Sequence, residues 1–444
     1  MPIALIASLA GLMVLRDEPF RVDEPAEVVA EIRAGCDGCD WGKKRREAAV
    51  LELRIDGRYS QHLVLTRDGE SDYRVALGRW ARGTHRLVIT LDRRSAKQVG
   101  RAMVSKVTVF PTLVDSPEGR ALAHAPLLEA RPGSVGRFSD LPLLMWVETE
   151  PLEGGGTRLR YSVVFSNEDG GTPPDRLMAT WGRLTDIEFV YGVDLDAAGR
   201  MVGEQYQGPE HRLLPFTGAH EDDHPVLYVA TDNNMVRDRG KATLRLAPAP
   251  MAFDLRDRSR EAVMDAAPWT YAVSAREVRR EGRVDEHARP GSKKVPDPRR
   301  FATLEACAES RDTTVSFSLA VRAKDATRWF DADGGLPSFR IARRPTEFPN
   351  GCFRGAVALP PRTTAGDVVG LRFRAWTRNA GKGEPPLAKG SGRAVLTRVN
   401  ALFFLAENDA PGPSFFSWRG EQALLPEGAP FELSIPAVND LNGR

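Results

Sequence analysis

The stretch Arg183-Leu-Thr-Asp-Ile-Glu-Phe-Val-Tyr191 alternates between apolar and polar side chains, as a β-strand does. Successive side chains of an extended chain point to opposite faces, so Ile187 and Phe189 share one face. Asp186 and Glu188 share the other face. We therefore predict a central strand that buries an aromatic face and holds two carboxylates side by side.

Three of the seven histidines, His211, His220 and His224, follow this strand closely in the sequence. Carboxylate oxygens and imidazole nitrogens are ligands for divalent cations, so the region predicts a site for Ca²⁺, Mg²⁺ or Zn²⁺. The predicted metal ligands are Asp186, Glu188, His211 and His224.

His220-Glu-Asp-Asp-His224 has the histidine spacing of a zinc-binding helix. Gly218 precedes it and Pro225 follows at once, which disfavours a helix. We therefore predict a solvated loop that lends one histidine to the site.

The two carboxylates allow other interpretations, because burying them without compensation is costly. They could be solvated or paired with Arg183 or Arg212 instead of binding a cation. They could also form an acid/base pair for hydrolase or lyase chemistry. The sequence leaves these alternatives open.

The central region resembles the β-proteins related to the vacuolar-protein-sorting family of fungi and plants, and more distantly the necrosis-inducing toxins. Thr185-Asp-Ile-Glu188 corresponds to that family's Gly-Asp-Trp-Glu strand, Tyr206 with His211 to its Tyr-x-x-His strand, and His224-Pro-Val-Leu-Tyr-Val-Ala230 to its His-Pro-x-x-Tyr-x-Ala strand. The toxin branch binds a divalent cation through such carboxylates and histidine at one pole of a β-sandwich. The resemblance thus implies a sandwich and a metal site in the central region.

Two polar loops are candidate ligand-binding segments because they are rich in oxygen acceptors and turn formers. The first lies in Ser166-Asn-Glu-Asp-Gly-Gly-Thr172, and the second follows the apolar strand Pro225–Ala230. The predicted ligand-binding residues are Asn167, Glu168, Asp169, Asp232, Asn233 and Asn234. Such loops also cap strands without binding anything.

Short alternating strands separated by Asp-Gly and similar turns recur along the chain, which is typical of antiparallel sandwiches. We predict an all-β protein with two or three antiparallel β-sandwich domains, immunoglobulin-like or jelly-roll-like. Leu77-Gly-Arg-Trp-Ala-Arg-Gly-Thr-His-Arg-Leu87 resembles a hairpin of accessory modules in secreted carbohydrate-active proteins. Trp269–Arg280 could be a strand or a short helix. The predicted regions are a possible signal peptide at 1–17, an N-terminal sandwich at 18–111, a central domain at 112–250 and a C-terminal β-rich domain at 251–444.

The chain of 444 residues is long enough for several domains, and its net charge of +2 argues against nucleic acid as a partner. Its first 15 residues form an apolar run of signal-peptide length, with a buried first strand or a misassigned start codon as alternatives. No later run approaches the length of a transmembrane helix. We therefore expect a secreted or periplasmic protein.

The four cysteines are compatible with two disulfides in an exported protein, and we favour Cys36 with Cys39 and Cys307 with Cys352. Free thiols or a metal site are the alternatives. No βαβ pattern follows Cys36-Asp-Gly-Cys39, so a thioredoxin-like redox site is not indicated.

These observations predict a protein that recognises an extracellular glycan, glycolipid or envelope component, possibly with a divalent cation. A polysaccharide-directed lyase or hydrolase with a carboxylate and histidine pair is the competing hypothesis. An envelope protein without a ligand is the third. The sequence leaves open whether the protein is an enzyme.

Overall fold

The structure, a computed structural model, describes residues 13–94, 100–168, 170–242, 244–323, 326–342, 351–380 and 385–436. The protein is predominantly β, as predicted, and its strands form three pairs of sheets. Of the predicted signal peptide, residues 1–12 lie outside the described residues. Residues 13–17 form the start of the first strand, which pairs with the sixth.

The first pair of sheets is a sandwich of seven strands. These are β1 Met13–Val22, β2 Ala26–Asp37, β3 Val50–Ile55, β4 Arg58–Val64, β5 Ser71–Trp80, β6 Gly83–Leu91 and β7 Arg101–Leu113. One sheet has the order β1-β6-β3-β4 and the other β5-β2-β7. Alternate residues of both sheets, such as Ile32, Leu51 and Ile89, fill a common apolar core.

The second pair of sheets contains the predicted central strand. Its strands are β8 Leu127–Glu129, β9 Pro142–Pro151, β10 Thr157–Phe165, β11 Asp186–Leu195, β12 Met201–Gly208, β13 Arg212–Pro215, β14 His220–Glu221, β15 His224–Val229, β16 Val236–Arg237, β17 Arg245–Leu246 and β18 Met251–Ala252. The larger sheet has the order β13-β12-β11-β10-β9-β18. The smaller has the order β14-β15-β8-β17, with β16 beside β15. Tyr161, Tyr191 and Leu227 lie in the core shared by the two sheets.

The third pair of sheets has the orders β23-β19-β25-β26 and β21-β20-β24-β27, with β22 beside β20. Its strands are β19 Phe301–Arg311, β20 Thr313–Ala323, β21 Ala326–Asp331, β22 Ile341–Ala342, β23 Cys352–Ala358, β24 Val368–Thr377, β25 Arg393–Phe404, β26 Trp418–Leu424 and β27 Phe431–Ser434. Its core includes Leu304, Phe317 and Phe373.

Few helices accompany the sheets. The α-helices are α1 Pro117–Ala123, α2 Ser134–Arg137, α3 Pro174–Trp181, α4 Ala262–Ala266 and α5 Trp269–Arg280, and 3-10 turns lie at Glu153–Gly155, Pro209–His211, Pro298–Arg300, Pro337–Phe339 and Ala365–Asp367. Helix α3 ends at Gly182, whose φ of 62° suits glycine, and a Cβ there would lie 3.1 Å from the Arg354 Cβ. No helix in the described part of the chain has the length and apolar character that a membrane span requires.

The chain divides into two compact units, described separately below. Unit 1 contains residues up to 165 together with 188–252, and unit 2 contains residues 166–187 together with 253–444. The first two sandwiches belong to unit 1, except for the first two residues of β11.

Both predicted disulfides are present: Cys36 is bonded to Cys39, and Cys307 to Cys352. The second disulfide joins facing residues of β19 and β23.

Candidate functional site

Asp186, the first predicted metal ligand, is buried in unit 2 beside an arginine. Its carboxylate lies 3.8 Å from the Arg183 guanidinium, which also donates a hydrogen bond to Glu261 at 3.3 Å and one to the Thr185 carbonyl. Of the alternatives that the sequence leaves open, pairing with an arginine, Arg183, therefore describes Asp186.

Glu188, the second predicted ligand, belongs to unit 1 and accepts a hydrogen bond of 2.7 Å from the Gln207 amide. The same amide lies 3.2 Å from His211 Nδ1, and Glu188 lies 4.0 Å from that nitrogen. Glu188 and His211 are thus brought together, with Gln207 bridging them.

His224, the fourth predicted ligand, lies elsewhere in unit 1. Its Nδ1 donates to the Ala125 carbonyl at 2.9 Å, and its Nε2 lies 2.9 Å from the Glu27 carboxylate. His220, on the neighbouring strand, contacts Glu204 instead. The segment is a β-hairpin, β14–β15, so it is not a zinc-binding helix, and the prediction of a solvated loop is wrong for His224, which is buried.

The four predicted metal ligands therefore do not assemble into one site. Among the residues that the structure describes, no group of three or more His, Cys, Asp or Glu side chains is arranged to hold a metal ion. The alternation of β11 was a correct guide to strand structure. It was a poor guide to ligands, because each carboxylate has a protein partner of its own.

In the first predicted ligand-binding loop, which belongs to unit 2, Asn167 and Glu168 are buried. The Asn167 amide donates to Glu281 at 3.3 Å, and Glu168 accepts from the Thr172 N–H at 2.8 Å. Asp169 lies outside the described residues. Burial raises the pKa of Glu168, and the negative charge of Asp186 raises it further, to about 8. The positive charge of Arg183 opposes this rise.

The second predicted loop forms the turn between β15 and β16. Asp232 is bound to Arg131, and the Asn233 side-chain oxygen accepts from the Thr231 hydroxyl at 2.7 Å. Asn234 is fully buried with φ 54°, a conformation that asparagine tolerates better than most residues. These side chains build the turn.

Unit 1 contains a cleft that the sequence did not predict, with a volume of about 260 Å³. It lies where β4 and the end of β5 meet the β14–β15 hairpin and β17. Its polar and aromatic lining consists of Arg58, Tyr59, Ser60, Gln61, Arg79, Trp80, Glu221, Asp222, His224 and Arg245.

Most charged groups of the cleft are already paired. Arg245 binds Glu129 at 2.9 Å and Glu221 at 2.6 Å. Arg58 and Asp222 differ, because both are exposed and neither side chain has an ion pair or hydrogen bond within the described part of the chain. Among the described residues, one cation and one anion thus face the cleft without a protein partner.

A hydrogen-bonded chain of side chains begins at the cleft and runs inward. The Tyr59 hydroxyl lies 2.8 Å from His62 Nδ1, and His62 Nε2 lies 3.2 Å from the Asp92 carboxylate. The Tyr59 oxygen also accepts from the Arg245 N–H at 2.9 Å. Tyr59 is 39% exposed, whereas His62 and Asp92 are buried.

A β-bulge makes this alignment possible. Residues three apart on a regular strand point to opposite faces, which would separate Tyr59 from His62. In the β3–β4 ladder, Gln61 faces Leu53 and Tyr59 faces Arg54, so Ser60 is an extra residue on β4. A bulge re-aims the side chains beside it, and such irregularities are frequent next to functional sites.

The electrostatics set the protonation of the chain. Burial, opposed by the charge of Asp92, lowers the pKa of His62, so the imidazole is neutral near pH 7. Burial raises the pKa of Tyr59 to about 12 and keeps the phenol protonated. The hydroxyl of Tyr59 therefore donates to His62 Nδ1, and His62 Nε2–H donates to Asp92.

The buried carboxylate of Glu27 holds together the wall behind the cleft. Glu27 accepts from Arg79 at 2.8 Å and pairs with His224, and Arg79 also binds Asp223 at 2.6 Å. Burial alone would lower the pKa of His224, but the hydrogen bond and charge of Glu27 outweigh it and raise that pKa. His224, predicted as a metal ligand, thus ties the hairpin to strand β2.

Comparisons with protein-family models and with curated proteins find no match for this chain. The resemblance of the central region to the vacuolar-protein-sorting-type and necrosis-inducing-toxin-like β-proteins stays a prediction.

Proposed function

We propose that this protein binds one sugar residue of an extracellular or cell-envelope glycan in the cleft of unit 1. One observation carries the proposal: Arg58 and Asp222 face the cleft with no partner in the described part of the chain, beside the aromatic side chains of Tyr59 and Trp80. Ligand sites typically combine apolar and aromatic walls with a few oriented polar groups.

The dimensions favour a small unit of a polymer. Sites for drug-sized ligands span roughly 300–1,000 Å³, and this cleft has about 260 Å³. A sugar ring presents apolar C–H faces to aromatic rings and hydroxyl groups to polar side chains. Arg58 supplies donors and Asp222 supplies acceptors for such hydroxyls.

Export to the periplasm or the cell exterior belongs to the same proposal. Two disulfides support it, because disulfides persist mainly in oxidising compartments. The aromatic residues near Phe415 do not take part, since Phe415 and Trp418 pack against the core of the third sandwich.

The test is a glycan array with neutral, uronic-acid and sulphated oligosaccharides, followed by calorimetric titration of the hits. We expect the Arg58→Gln/Asp222→Asn double variant to weaken binding at least tenfold. The matched control is Arg82→Gln/Asp115→Asn, which changes the same residue types at exposed positions outside the cleft. Titration with and without a chelator shows whether a divalent cation takes part.

Equal affinity of the double variant and the parent would contradict a site in this cleft. An array on which the parent retains no glycan would contradict the function itself.

A further inference from the structure

We propose that Tyr59, His62 and Asp92 form a proton relay that lets this cleft cleave glycans of uronic acids by β-elimination. This inference rests on the proposed function, since the relay acts on the sugar that the cleft binds. It adds a reaction and a substrate class to binding.

The geometry supplies the first support. The three groups are joined by hydrogen bonds of 2.8 and 3.2 Å, and the order is hydroxyl, imidazole, carboxylate. Such an order lets a base accept the hydroxyl proton while the carboxylate stabilises the imidazolium that forms. Of the three residues, Tyr59 is the one that lines the cleft.

The Arg245 main chain supplies the second support. Its N–H donates to the Tyr59 oxygen at 2.9 Å, so it faces the atom on which negative charge develops when the hydroxyl proton leaves. This donor is fixed in place, because the Arg245 side chain is bound to Glu129 and Glu221.

The charges of the cleft favour elimination over hydrolysis. Glycoside hydrolysis ordinarily requires two carboxyl groups flanking the bond. Of the two carboxylates in the cleft lining, Glu221 is bound to Arg245, which leaves Asp222 alone. Elimination instead requires a base and a cation that neutralises the uronate carboxylate, and Arg58 in the lining is a cation with no ion pair to any described residue.

The proton balance closes within the relay. The Tyr59 oxygen takes the proton on the carbon next to the uronate carboxylate, as the Tyr59 proton moves to His62 Nδ1. The electron pair of the C–H bond forms a C=C bond, and the adjacent glycosidic C–O bond breaks. The proton then returns from His62 through Tyr59 to the leaving oxygen. The products are an unsaturated uronate end and a free hydroxyl end, and no other reactant is consumed.

The experiment incubates the full chain with polygalacturonate, alginate and hyaluronan. It measures the ultraviolet absorbance of the new conjugated double bond together with the new reducing ends. We expect one polymer to give equal numbers of both. Tyr59→Phe lowers this rate at least about 100-fold, within the range of a lost acid–base group, and leaves the dissociation constant within about twofold. Tyr228→Phe, which lies outside the cleft, keeps the parental rate.

His62 acts through Tyr59 and is therefore a positioning residue, for which the pH profile is the decisive readout. The parental rate falls on the acid side as His62 becomes protonated, with a midpoint below the ordinary histidine pKa of about 6.5. In His62→Gln the rate is low and this acid limb disappears.

Three outcomes overturn the inference. They are binding of a uronic-acid glycan without an unsaturated product, reducing ends without unsaturation, and a Tyr59→Phe rate equal to that of the parent. Each leaves the proposed binding function standing. If the parent binds no glycan on the array, that result contradicts the proposed binding function itself.

Discussion

Two buried polar networks in this protein differ in where they end. In unit 2, Arg354 donates to Glu305 at 2.8 Å, to Asp265 at 3.0 Å and to the Tyr271 hydroxyl at 2.5 Å. Glu305 also accepts from Arg258 at 2.7 Å. Every charge there meets an opposite charge inside the protein.

The relay of unit 1 has the opposite design. It runs from the buried Asp92 through His62 to Tyr59, which lines a cleft. A closed network of charges maintains the fold, whereas a network with an end in a cleft can exchange a proton with a ligand. This difference predicts that damage to the first network costs stability, and damage to the second costs activity.

The largest effect is expected for Arg354→Met. The change leaves Glu305 buried without its main partner, and removing one member of a buried ion pair typically costs about 3–5 kcal/mol. Urea unfolding measures the loss. Arg328→Met, at an exposed position of β21, should change the free energy of unfolding by less than about 0.5 kcal/mol. A loss of that small size for Arg354→Met would show that the network is not essential for stability.

The next effect concerns Glu27, which links the two sandwiches of unit 1. Glu27→Gln removes the charge that pairs with Arg79 and His224, and we expect a loss of about 1.5–3 kcal/mol near pH 6. Glu31→Gln, an exposed change on the same strand, is the control.

The pH dependence of this loss follows from the two pKa shifts. The raised pKa of His224 gives stability below about pH 6.5, which is lost as the pH rises through the folded-state pKa. The lowered pKa of Glu27 gives stability above about pH 4.5, which is lost as the pH falls through its folded-state pKa. The free energy of unfolding of the parent should therefore exceed that of Glu27→Gln most between about pH 4.5 and pH 6.5. A difference in stability that does not vary with pH would contradict the pairing.

A smaller effect, measured over a single pH unit, is expected for Glu168, which lies in unit 2 close to Asp186. Its folded-state pKa of about 8 exceeds the ordinary glutamate value, so the folded protein holds a proton that the unfolded chain releases. Stability therefore falls as the pH rises from about 4.5 to 8, by up to about 1.4 kcal/mol between pH 6 and pH 7. Glu168→Gln should remove this slope in thermal unfolding, while the exposed Glu309→Gln should retain it.

The smallest change in stability is expected for Tyr59→Phe. It removes one hydroxyl that bonds to His62 and to the Arg245 N–H, which corresponds to about 1 kcal/mol. Urea unfolding of this variant beside Tyr228→Phe measures it. A loss of about 3 kcal/mol or more would place the relay with the Arg354 network, as an element of stability.

Much of the fold was readable from the sequence, because alternation of apolar and polar residues reports on strands directly. Both disulfides followed from cysteine count and spacing. The sequence of Trp269–Arg280 is compatible with either a strand or a short helix. The structure shows helix α5, in which Tyr271, Ser274 and Val278 are buried on one face with helical spacing.

The candidate site was not readable in the same way. Asp186 and Glu188 drew attention as neighbouring carboxylates, but their partners come from other segments, such as Glu261 near Asp186 through Arg183. Tyr59 meets the Arg245 main chain across 186 residues of sequence. Its alignment with His62 depends on the bulge at Ser60, for which strand periodicity gives no signal.

The interleaving of the two units has a consequence for protein synthesis. Residues 166–187 leave the ribosome before residues 188–252 of unit 1, yet they pack with residues 253–444 as part of unit 2. Arg183 therefore emerges 78 residues ahead of Glu261, its buried partner. Unit 1 can complete its sheets once residue 252 has emerged, while this segment still waits for the chain that will enclose it. A nascent chain at that stage exposes the apolar side of α3 and leaves Arg183 without its Glu261 partner.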